Sequence, residues 1–156
     1  MIYSIEALLK TWQYDHRYVI LSLINGLSDD ELDREFPGKG PGTARLLFVE
    51  MAGIQKNYID ALSTKTVQFE KVPLEDSSKD GIIKRLSALE KELEKALEGL
   101  DGTETVDFCG EDENVHALIA GLIGHVNMYV GQLVAFCHAT GIDIPEDAIE
   151  SLGLDG

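Results

Sequence analysis

Residues 115–140 read VHALIAGLIGHVNMYVGQLVAFCHAT, and the pattern in this stretch decides the fold. At about 100° per residue, Leu118, Leu122, His125, Tyr129, Gln132 and Phe136 fall in one stripe roughly 80° wide. Gly141 suits the left-handed position that ends a helix, and Pro145 prevents further extension. His125, Asn127 and Gln132 interrupt the apolar run, so it falls short of the ~20 consecutive apolar residues that span a bilayer. A core helix that carries polar groups inward is expected, with His116 and His138 on its far side in solvent.

Three more helical patterns precede it. From Ser4 to Gly26, Ile5, Leu8, Leu9, Trp12, Val19, Ile20, Leu23 and Ile24 recur at helical spacing. Ser28 and Glu31 then match a capping box that opens a short acidic turn. The loop FPGKGPGT has too many prolines and glycines for regular structure. Thr43 is a natural cap for a helix over 44–62. Residues 63–75 read as an extended linker with a little strand character, and they form the longest connection expected. Lys79 to Leu97 carries a narrow stripe of Ile82, Leu86, Leu89, Leu93 and Leu97 opposite a charge-laced face. Residues 103–114, TETVDFCGEDEN, are polar and turn-rich, and no strand ladder is expected anywhere. Four amphipathic helices predict an all-α, up-down four-helix bundle occupying one domain, 1–156.

Composition limits the partners. Of 156 residues, 44% are apolar and 26% charged, a globular profile. Acidic residues outnumber basic ones 28 to 13, and a formal charge of −15 disfavours nucleic acid and anionic membrane surfaces. Cys109 and Cys137 lie in no metal or redox spacing, so reduced thiols and a cytoplasmic setting are expected. The start, MIYSIEALLK, lacks the basic region of a signal peptide.

Function in helical bundles sits where polar side chains face inward. His125 and Tyr129 are four apart and share a face, the spacing by which a helix presents two groups to one ligand or ion. Gly121 and Gly124 beside them each cost about 1 kcal/mol relative to Ala, which close helix approach or room for a ligand would explain. His16 shares the apolar stripe of the first helix with Trp12. Glu50 lies between Leu46, Leu47 and Ile54 on the second helix, facing the interior or its edge.

GLIGHVNMYVGQLVAFCHATGIDIPE, TARLLFVEMAGIQKNYIDAL and LINGLSDDELDREFPGKG are similar, in order and spacing, to segments of the DinB-like superfamily of four-helix-bundle proteins. The resemblance runs along essentially the whole chain. Members of this kind hold a divalent metal with three histidines, one from the second helix and two from the fourth. Those with known activity include transferases and isomerases that use mycothiol, bacillithiol or related thiols. Carried onto this sequence, the resemblance retains His125. It finds Glu50 at the helix-two position and Tyr129 at the second helix-four position, with Val130 where a basic residue follows. His16 would supply the missing nitrogen if the first helix approaches closely.

Three functions follow. The first is a metal-dependent transferase or hydrolase on a small, thiol-conjugated substrate. In it Glu50, His125 and His16 would hold zinc, nickel or manganese weakly or not at all, and Tyr129 would donate to developing charge. The second is a metal-free small-molecule-binding bundle, and the third a structural or interaction bundle. The resemblance also implies a homodimer. Ile2, Tyr3, Tyr14, Tyr18 and Leu21 lie outside the Trp12 stripe, so an interface through the first helix is expected, joined by Val115, Ile119 and Ile123.

Overall fold

Each long helix begins on a side chain that accepts from its first turn. In the computed structural model, which describes residues 4–38, 40 and 42–154, Ser4 accepts from Ala7 N–H, Thr43 from Leu46, Ser78 from Gly81 and Asn114 from Ala117. These caps satisfy donors that have no partner inside the helix. The chain is mostly helical, with one small sheet. Helix α1 (Ile5–Tyr14), a π-helical turn (Asp15–Ile20) and α2 (Leu21–Gly26) follow one another without a break. The acidic turn α3 (Asp29–Leu32) starts on the expected Ser28–Glu31 capping box. Then come α4 (Ala44–Thr64), α5 (Lys79–Leu97), a hairpin of β1 (Thr105–Phe108) and β2 (Glu111–Asn114), α6 (Val115–Thr140) and α7 (Glu146–Leu152).

Helix α4 packs against both α5 and α6, and α1 against α6. Trp12, Phe48, Met51, Leu86, Leu89, Leu122 and Phe136 meet in the buried core. By length and mean hydropathy α6 would pass as a membrane span. Here Leu118, Leu122, Val126, Leu133 and Phe136 instead supply the core between α1 and α4.

The hairpin corrects the expectation of no strand pairing. Val106 is buried and Phe108 half-buried on alternate positions of β1, while Cys109 and Gly110 both take positive φ, 57° and 91°. A two-residue turn with φ > 0 at both positions matches strand twist, so a short polar segment pairs. Asp107 joins the hairpin to the chain leaving α4: Val67 N–H donates to its carbonyl at 2.8 Å and its own N–H donates to Lys65 at 2.9 Å. The strand character expected in 63–75 is thus one isolated bridge, Thr66 with Asp107. The longest connection is also not where it was expected, because residues 98–114, between α5 and α6, outrun residues 65–78, between α4 and α5.

The expected pairing face survives only in part. Tyr14 and Tyr18 are exposed, at 48% and 55%, with their rings 5.1 Å apart. Val115 and Ile119 are buried in this chain, because the hairpin and α1 cover that side of α6, and they offer no outer surface. Ile2 and Tyr3 lie outside the described residues.

Candidate functional site

Residues 69–72 run beside α4 and turn its surface into a cleft. Asn57 donates to the Glu70 carbonyl at 2.9 Å and anchors this strap. Gly53 faces it, and a Cβ there would make ordinary contact with Val72 at 3.6 Å. The cleft, of about 350 Å³, has apolar walls of Leu46, Val49, Ile54, Phe69 and Val72, with Glu50, Glu70, Lys71 and Tyr129 as its polar groups. Glu50 is exposed and Tyr129 half-buried. Burial, then the Glu50 carboxylate, holds the Tyr129 phenol above its usual range, so Tyr129 stays protonated.

His125 sits one turn before Tyr129 but is not part of the cleft lining. It belongs to an aromatic cluster with Tyr58, Phe69 and Phe108, in which the Tyr58 and Phe69 rings stand 5.5 and 5.7 Å from the imidazole. Tyr58 Oη lies 2.7 Å from His125 Nδ1. Burial pushes the Tyr58 phenol up to about 12, so it keeps its proton. The imidazole is its one hydrogen-bond partner among the described residues, and in the tautomer with its hydrogen on Nε2 the ring accepts the phenol proton at Nδ1. Gly121 makes room for this contact, because a Cβ there would lie 3.3 Å from the Tyr58 hydroxyl. That accounts for one of the two unusual helix glycines. A Cβ at Gly124 would meet open space.

His16 is elsewhere. It is fully buried on the π-helical turn, stacked on Trp12 with centroids 4.7 Å apart. Among the described residues neither ring nitrogen reaches hydrogen-bond geometry, and nor do the amide atoms of buried Gln55 or the Trp12 Nε1. Burial lowers the His16 pKa, with Glu90 opposing. His138 is exposed as expected, whereas His116 is half-buried over Gly102.

The residues named from sequence therefore separate into a cleft pair, Glu50 and Tyr129, an aromatic cluster around His125, and the buried stack of His16 on Trp12. Among the described residues no three His, Cys, Asp or Glu side chains come together as a metal-binding group. A metal on His125 Nε2 would also require the other tautomer, leaving the buried Tyr58 proton without an acceptor at a cost of about 1–3 kcal/mol. The donor set does not fit a shared ion. The sequence reading missed Tyr58 as the partner of His125 and missed Gly53, Phe69 and Val72 as cleft residues. Gly121 was the one local sign that a large ring lies opposite.

No protein-family model matches the chain, and no curated protein matches it. Among solved structures, a DinB-like protein from Bacillus cereus ATCC 10987, solved by crystallography, superimposes with a TM-score of 0.74 at 21% identity, covering 93% of this chain and 98% of that one. The two chains share a fold.

Proposed function

We propose that this chain uses a DinB-like fold, as an up-down bundle of its four long helical stretches, to hold a small organic molecule in the cleft beside Glu50 and Tyr129 without a resident metal. What carries the reading is the cleft itself: apolar on most of its walls, closed on one side by an anchored strap, and furnished with two carboxylates, one lysine and one protonated phenol. Binding sites combine apolar walls with a few placed polar groups in this way. The Tyr58–His125 bond supports the metal-free form, because it engages the one histidine that the resemblance retains.

Protein purified without a histidine tag, dialysed, and titrated with zinc, nickel and manganese tests this. The expected result is no stoichiometric uptake. One ion per chain surviving dialysis, and lost in Glu50→Ala, would overturn it in favour of a metal-dependent transferase or hydrolase. The exposed Tyr14–Tyr18 pair supports a homodimer through the first helix, and light scattering of Tyr14→Glu/Tyr18→Glu, expected to be monomeric, tests that face. The two free thiols, Cys109 and Cys137, support a cytoplasmic setting.

A further inference from the structure

Resting on the reading of the cleft as a ligand site, we propose that its ligand is a small amphiphilic primary amine, with an apolar tail along the cleft walls and its ammonium group between Glu50 and Tyr129. The tail follows from the walls. Leu46, Val49, Ile54, Phe69 and Val72 present hydrocarbon to a space of about 350 Å³, at the lower end of the ~300–1,000 Å³ usual for small-molecule sites. That favours a short chain or a single ring over a nucleotide or a peptide.

The head group follows from charge. Glu50 makes no ion pair among the described residues. Glu70 adds a second carboxylate against one lysine, Lys71, so the cleft is net negative, as is the whole chain at −15. Tyr129, held protonated, leaves a phenol oxygen as an acceptor, and an ammonium has three N–H donors and no acceptor. Two aromatic rings, Tyr129 and Phe69, line the same cleft, and aromatic rings attract cations. An anionic ligand would instead oppose Glu50 and Glu70, with only Lys71 to offset them. A second groove of similar size, lined by Ala7, Leu8, Thr11, Ala120 and Ile123, has only a threonine hydroxyl to orient a ligand.

Because Glu50 is exposed, water weakens its attraction, and the selectivity expected is modest, about five- to tenfold, falling as salt rises. Octylammonium, octanol and octanoate share one tail and separate the contributions. Calorimetric titration at low ionic strength should rank octylammonium tightest and octanoate weakest, about tenfold apart. Glu50→Gln, at an exposed position, should bring that ratio below about threefold while leaving octanol binding unchanged. Gly53→Leu, which fills the cleft, should abolish binding of all three, with circular dichroism reporting that each variant is folded. Octanol or octanoate binding the intact protein as tightly as octylammonium would overturn the amine while leaving the cleft in place. Binding that survives in Gly53→Leu would mark adsorption to the acidic surface, and that outcome, or no binding by any of the three, would overturn the cleft as a ligand site.

Discussion

Tyr58 on α4 and His125 on α6 are joined side chain to side chain, with Oη 2.7 Å from Nδ1, beside Gly121, where a Cβ would crowd the Tyr58 hydroxyl at 3.3 Å. Phe69 packs edge-on against the same imidazole, with centroids 5.7 Å apart, and also lines the cleft. Tyr58→Phe should cost about 1 kcal/mol of stability, the usual net worth of one hydrogen bond. Nitrogen-15 NMR should show the neutral His125 ring protonated on Nε2 in the parent and a tautomer mixture in the variant. A parent spectrum with the hydrogen on Nδ1 would reverse the donor assignment and remove the obstacle to a metal on Nε2.

Gly53 is a glycine inside a helix, on the wall of the cleft. Its φ is ordinary, and a methyl group there would make normal contact with Val72 at 3.6 Å. Gly53→Ala should therefore stabilise the protein by about 0.5–1 kcal/mol through helix propensity. The same methyl group takes space from the cleft, so binding of octylammonium should weaken as thermal stability rises. Thermal denaturation and calorimetry on the same variant check both halves of the prediction.

Much of this fold is legible in the sequence, for reasons that can be located. The helices begin at Thr43 and Asn114 and end near Gly141 because capping chemistry is local, and the inward stripes of Trp12, Leu86 and Leu122 follow from periodicity. The hairpin escapes such a reading. Its strands have four residues each, and Glu111, Asp112 and Glu113 lack the apolar alternation that marks a strand. It is held instead by Val106, the turn at Cys109–Gly110 and the non-local pairing of Asp107 with Lys65 and Val67. The candidate site is half legible for a similar reason. Helical spacing places His125 and Tyr129 on one face, but the strap residues that separate them into cluster and cleft come from an irregular segment with no period to read. The interruption of the first helix by a π-helical turn also has no sequence sign.

His16 predicts a pH dependence with a definite sign. The buried ring has a pKa below the unfolded value of about 6.5, with burial as the main cause, Arg17 adding to it and Glu90 opposing. As pH falls through 6.5 the unfolded chain takes up this proton before the folded one, so stability must fall. The loss should begin as pH falls through about 6.5 and grow as pH falls further. In His16→Phe, which preserves the stack on Trp12, that part of the denaturation profile should flatten. An unchanged profile would place the proton elsewhere.

Cys109 is strained where its neighbour is not. Its φ of 57° belongs to the left-handed region, which residues with a Cβ enter at a cost of about 1 kcal/mol, whereas Asn is tolerated there. Cys109→Asn creates an Asn-Gly pair at the hairpin turn, the preferred sequence when both turn residues have positive φ. The variant should unfold a few degrees higher, by up to about 1 kcal/mol. Since Cys109 is exposed and outside the cleft, ligand binding should not change.

Chemical-shift mapping tests the central claim most directly, because it asks where a small molecule binds and whether a metal is needed. Metal-stripped, nitrogen-15-labelled protein would be titrated with octylammonium. The account predicts saturable shifts concentrated at Gly53, Ile54, Phe69, Val72 and Tyr129, unaltered by added zinc. Shifts centred on Ala7, Thr11 and Ile123, or shifts at the cleft that arise only once zinc is added, would contradict it.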